Sequence, residues 1–170
     1  MLRGFRKLCL TGLAFLMIAG IFSSCKNSGT MTPAEIADHI KRNVAFVELT
    51  EFDKDLISTS FLNIDSSLIG DSAVFVSSQE DKADELIVIK LADSEDFDKV
   101  FMEINAHISL RTANFSKQSE QESKKIQNPV IRQLDGCIIL VVCDQNQHQK
   151  AAEVLRQLGA QEVQMSKSSK

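Results

Sequence analysis

Two apolar runs constrain this chain more than anything else in it. Leu86-Ile87-Val88-Ile89 and Cys137-Ile138-Ile139-Leu140-Val141-Val142-Cys143 are rich in β-branched residues, too short for buried helices, and read as strands. A shift of 51 residues lays Leu86–Ile89 over Cys137–Leu140, Asp93 over Asp144, Lys99 over Lys150 and Ile104 over Leu155. Each half is therefore a hairpin, an Asp-headed turn and a helix. We read this as one architectural solution used twice rather than as an ancestral duplication.

The other elements follow from local chemistry. Thr32-Pro33-Ala34-Glu35 predicts a helix start, with Thr as N-cap, Pro at N1 and Glu closing a capping box; Ile36, Ile40 and Val44 form its stripe. A second, shorter helix is expected near Asp53 to Phe61, and a strand at Ala73–Val76. Asp93, Glu95 and Asp96 open a helix whose Phe97, Phe101, Ile104, Ile108 and Phe115 share a face. Ser116 to Lys125 is polar throughout and reads as an exposed helical end or a loop. Asp135-Gly136 between Val130–Leu134 and Cys137–Cys143 is a strong hairpin signal. Asp144-x-x-Gln147 resembles a capping box for a last helix that buries Ala151, Val154, Leu155 and Leu158 and ends at Gly159. The economical burial is a two-layer α+β fold. It has a four-stranded antiparallel sheet from two β-hairpin–helix units, helices on one face, and one or two helices ahead of it.

The N-terminus sets the address. Met1 to Lys7 carries three cations, and Leu8 to Phe22 is an apolar run too short for a comfortable membrane span. It closes on Phe22-Ser23-Ser24-Cys25, which resembles a bacterial lipobox with Phe where Leu is commoner. Residues 1–24 are thus expected to be a lipoprotein signal peptide cut between Ser24 and Cys25, with diacylglycerol in thioether linkage on Cys25. Two or more acyl chains, at about 0.8 kcal/mol per buried CH₂, anchor stably where one does not. Residues 25–31 supply the lipidated Cys and a polar leash of about 20 Å extended reach. Residues 32–160 make a single α+β domain, and 161–170 a polar tail. The expected location is the extracytoplasmic face of the cell membrane, lipid-anchored.

Charge and aromatic content narrow the partners. The chain has 19 basic and 23 acidic residues, and Arg3, Arg6 and Lys7 leave with the signal, so the mature part carries a net charge of about −7. Such a body repels phosphate backbones, and nucleic acid is not expected as a partner. Without Trp or Tyr the chain lacks the usual sugar-stacking platforms, so no carbohydrate ligand is expected.

Chemistry-bearing residues are sparse. Asp93, Glu95, Asp96 and Asp98 lack calcium-loop spacing and suit a helix start. His39, His107 and His148 each stand alone, and surface or capping positions are their default. Cys137 and Cys143 lie six residues apart on one strand, about 20 Å, too far for a disulfide; they read as small apolar residues on one strand face. Glu85, where a strand begins after an acidic loop, is the one candidate surface site. No catalytic or metal-ligating residue is assigned, and no cofactor is expected.

The stretches Ala83-Asp84-Glu85-Leu86-Ile87-Val88-Ile89-Lys90 and Gly136-Cys137-Ile138-Ile139-Leu140-Val141-Val142-Cys143-Asp144 resemble a family of small bacterial lipoproteins. That family is catalogued as a domain of unknown function, number four-three-five-eight, and the similarity covers roughly Thr32 to Leu158. Members commonly have a Tyr after the long helix, which is absent here. The family carries no established activity, so it transfers no site residues. The function expected is that of a non-enzymatic binding module with an envelope protein partner. The alternatives are a small-molecule or ion-binding lipoprotein and an enzyme with an unrecognised site.

Overall fold

A computed structural model describes residues 30–163. The expected signal peptide, the expected cleavage and lipidation site at Ser24 and Cys25 and most of the expected leash lie outside the described residues, as does the end of the expected tail.

Helix α1 spans Pro33–Asn43, and its capping box forms as expected: Glu35 N–H donates to Thr32 Oγ1 at 3.2 Å while Thr32 N–H donates to Glu35 Oε2 at 2.8 Å. Strand β1, Leu49–Glu51, follows. The helix expected near Asp53–Phe61 is one α turn, α2 at Lys54–Leu56, running into a π-helical segment at Ile57–Phe61. Strands β2 (Ile69–Ser77) and β3 (Glu85–Leu91) come next, then the long helix α3 (Phe97–Phe115) and α4 (Glu120–Gln127). The chain continues through β4 (Val130–Leu134), β5 (Cys137–Val142), α5 (Gln145–Gln157) and β6 (Gln161–Glu162).

The sheet has six strands, not four, in the order β1-β2-β3-β5-β4-β6, and every neighbouring pair is antiparallel. The two added strands are short edges of three and two residues, below the length at which alternation shows in a sequence. One of them, β6, occupies the start of the expected tail. Between β4 and β5, Asp135 and Gly136 have φ of +50° and +75°, the two left-handed positions of a type I′ hairpin turn. Gly159, at φ +90°, ends α5 in a Schellman arrangement: its N–H bonds the Arg156 carbonyl and that of Ala160 the Leu155 carbonyl.

Helices cover both faces of the sheet, which corrects the one-face expectation. On one side Ile36, Ala37 and Ile40 of α1 and Ala151, Val154 and Leu155 of α5 pack on Leu86, Val88, Ile139 and Val141. On the other, Val100, Ile104 and Phe115 of α3, Ile126 of α4 and Ile57 of the π segment pack on Ile87, Ile89, Ile138, Leu140 and Val142. The reason is visible in the strands themselves. Alternate residues of a strand face opposite ways, and β5 is apolar and buried at all six positions, so a single helical layer would leave half of it in water. The 51-residue self-similarity holds in the strands but breaks in the helices, because Ile104 and Leu155 belong to opposite layers. Two non-superposable layers favour a recurrent solution over a symmetric copy.

Candidate functional site

The chain enters β3 through Ala83-Asp84-Glu85, and all three residues are buried, with Asp84 1% and Glu85 0% exposed. A carboxylate that deep needs partners, since an unpaired buried charge is costly. Glu85 finds them on α3. Val100, Ile104, His107, Arg111 and Phe115 recur at helical spacing, so the inward stripe of α3 carries a buried histidine and a partly buried arginine before it closes on Phe115. His107 Nε2 lies 2.7 Å from Glu85 Oε1, and Arg111 Nε lies 3.1 Å from Glu85 Oε2. The second contact is an ion pair whose geometry falls short of a hydrogen bond, leaving both atoms buried without one. Arg111 also donates to the Ala83 carbonyl at 3.2 Å, and its guanidinium lies 5.3 Å from the Phe115 ring. His107 Nδ1 is 3.2 Å from the Phe61 carbonyl, and the Phe61 ring packs on the imidazole at 4.5 Å.

Asp84 is held by α4. Its carboxylate accepts from Lys125 Nζ at 2.9 Å and from the Val47 N–H at 3.2 Å. The same ammonium reaches Glu122 at 3.0 Å and Asp144 at 2.7 Å. Glu122 in turn accepts from the Ala83 N–H at 2.9 Å, with Lys82 at 3.8 Å. Burial alone would push the Lys125 ammonium down. Asp144, Asp84 and Glu122 together outweigh that and hold it above the ordinary lysine range. Ser116–Lys125, expected to be exposed, thus contributes a helix whose Glu122, Ser123 and Lys125 are buried. The capping box at Asp144 does not form either. Its carboxylate goes to Lys125, and Gln147 instead accepts from the Ala45 N–H at 3.2 Å.

Glu85, the candidate read from the sequence, is therefore at the centre of a buried network and not at the surface. His107 joins it, against its surface default, whereas His39 on α1 and His148 on α5 are partly exposed and outside it. Asp84, Arg111, Glu122 and Lys125 carry no motif spacing. The available signals were the paired acids leading into an apolar strand and the i, i+4, i+7, i+11 pattern of Val100 to Arg111. The acids at the α3 start serve locally, Asp93 accepting from the Glu95 N–H at 2.9 Å and Asp96 pairing Lys99 at 2.6 Å. Cys137 and Cys143 are free and buried on one face of the sheet, and burial pushes both thiols up, Cys143 to about 11.

A groove of about 590 Å³ lies elsewhere, lined by Leu91, Asp98, Gln133, Gly136, Cys137 and Gln161 among others. In the β3–β5 ladder Glu85 pairs Val142 while Lys90 pairs Cys137, so groove and ionic network sit at opposite ends. The Glu85 network is thus apart from the open groove, whose own lining includes Glu95, Asp98 and Asp135.

A family model described as a domain of unknown function, DUF4358, matches residues 42–143. That is more than half of the chain, which therefore belongs to this family. The matched region contains Asp84, Glu85, His107, Arg111, Glu122 and Lys125. Neither a curated protein nor a solved structure matches the chain.

Proposed function

We propose that the domain is a lipid-anchored module on the extracytoplasmic face of the cell membrane that acts by binding another envelope protein and performs no chemistry itself. The observation that carries this is the outer face of α3. Met102 and Leu110 are 62% and 63% exposed, and Ala106 and Ala113 are exposed on the same side of the helix. An apolar stripe left in water on a long helix is a docking feature. Around it Asn105, Ser109 and Asn114 are exposed and uncharged, Lys99 and Glu103 flank Met102, and the mature chain is acidic. Such a surface suits an apolar ridge of a partner protein better than anionic lipid headgroups. The anchor rests on the lipobox at Cys25, and no described helix is long and apolar enough to cross a membrane.

Changing Met102 and Leu110 together to Glu tests the proposal, since both side chains are exposed and the fold should tolerate charge there. After crosslinking in intact cells, the wild type should recover a reproducible envelope partner and the double variant should lose it. Equal recovery with both would refute the stripe as the contact. Small-molecule binding is the second reading, favoured by the groove of about 590 Å³ with Gln133 and Gln161 in its lining.

A further inference from the structure

The hydrogen bonds around His107 do not balance without one additional proton. A carbonyl oxygen only accepts, so the 3.2 Å contact with Phe61 requires a hydrogen on Nδ1. A neutral imidazole with Nδ1–H has a bare lone pair on Nε2, and that lone pair would face the Glu85 carboxylate at 2.7 Å. Two acceptors at that distance repel unless a proton lies between them.

We infer that His107 and Glu85 share one buried proton, and that this proton latches the π-helical segment Ile57–Phe61 onto the sheet. The contacts give the latch its reach. His107 ties α3 to β3 through Glu85 and to the π segment through the Phe61 carbonyl, with the Phe61 ring packed in tilted contact between His107 and Phe52 at 4.5 and 4.7 Å. The π segment in turn holds Leu62 and Ile64, whose N–H groups bond the carbonyls of Ile57 and Ser58, both at 2.8 Å. Isolated π turns are rare and poorly self-supporting, so this one depends on such external ties.

The groups surrounding the pair are known from each element. From β3 comes Glu85, with Asp84 beside it. From α3 itself come Arg111 and, four residues before His107, Glu103. From α4 come Glu122 and Lys125, both engaged with the Asp84 side. The π segment carries no titratable side chain, and Lys54 ahead of it pairs Asp71 at 3.0 Å. Among the described residues Glu85 is thus the acid within hydrogen-bond distance of the imidazole. Loss of the proton as pH rises leaves one N–H on the ring; it stays on Nε2 for the carboxylate, the bare Nδ1 then faces the Phe61 carbonyl, and the π segment is freed. Ile57, Leu62 and Ile64, all buried in the latched state, then become accessible.

The test is amide hydrogen exchange of the full-length chain in detergent micelles, from about pH 5 to about pH 9. Corrected for intrinsic rates, protection at Leu62 and Ile64 should fall about tenfold per pH unit once the proton is lost, the slope of a single linked proton. Glu85→Gln is the informative variant. Its amide can donate to the bare Nε2 of a neutral imidazole while Nδ1–H keeps Phe61, so its protection should stay flat. Flat protection in the wild type, or the same slope in Glu85→Gln, overturns the inference. The ¹⁵N shifts of His107 in the wild type give a second decision that needs no variant. The ring-nitrogen shifts should move through the transition as the shared proton leaves, and ring shifts that stay constant across the pH range overturn the shared proton.

Discussion

Lys125 on α4 and Asp144 at the head of α5 meet at 2.7 Å, and that contact takes the Asp144 carboxylate away from the helix it precedes. One ammonium thereby joins β3, α4 and the end of β5, because Asp84 and Glu122 share it at 2.9 and 3.0 Å. The sheet's two helical layers are tied together at this corner by charge as well as by apolar packing.

Removing Lys125 is expected to be far worse than removing Asp144. Lys125→Met leaves Asp84, 1% exposed at its side chain, without its cation, and Glu122, 4% exposed, with Lys82 at 3.8 Å. A broken buried pair costs about 3–5 kcal/mol. Asp144 is 48% exposed, so Asp144→Ala should cost about 1 kcal/mol or less. Chemical denaturation of the two variants measures the difference. Similar losses would mean that the network does not depend on the buried pairs.

Ile138 and Ile139 are adjacent, both 0% exposed, and belong to opposite cores. Ile138→Ala and Ile139→Ala should each cost about 2–5 kcal/mol. A two-layer protein would lose that much at only one of them. Equilibrium unfolding of the pair therefore checks the three-layer architecture directly.

What could be read from the sequence was whatever is decided within a few residues. The Thr32 and Glu35 box, the Asp135-Gly136 turn and Gly159 as a helix stop all occur as expected. The layer assignment was not legible. A strand such as Cys137–Val142, apolar on both faces, says that two layers are needed but not which helix goes to which. Asp144 had the right spacing for a cap, yet a long-range partner outcompeted it. Glu85 was singled out for its position, while its partners His107 and Arg111 lie 22 and 26 residues further on in an unrelated element. Polarity misled at α4, where buried Glu122 and Lys125 look like solvated residues until the fold brings them together.

Gly136 and Gly159 both sit at positive φ, but for different neighbours. A Cβ at Gly136 would lie 3.3 Å from Lys90 Nζ, whose ammonium donates to the Asp135 carbonyl; at Gly159 nothing is within 4 Å. Gly159→Ala should cost about 1 kcal/mol from backbone strain alone, and Gly136→Ala somewhat more. Thermal unfolding gives the order, and a larger effect at Gly159 would contradict it.

Cys143 makes stability fall at high pH. Its thiol is raised from 9.0 to about 11 by burial first, then by Asp84 and Asp144. A group raised on folding stabilises fully below its unfolded value and ceases to as pH climbs through its folded one. The contribution, about 1–3 kcal/mol, should therefore disappear between pH 9.0 and about 11. Cys143→Ala should show a shallower decline than wild type across that window in pH-resolved denaturation. Parallel curves would exclude the thiol as the titrating group.

The most direct test of the proposed function is a photo-crosslinking residue placed at Leu110 in cells that express the full chain, with the same residue at Glu153 on α5 as the comparison site. The account predicts a discrete crosslinked band at Leu110, identified by mass spectrometry as an envelope protein, and none at Glu153. The same products at both positions, or none at Leu110 while Cys25-dependent membrane attachment is intact, would contradict it.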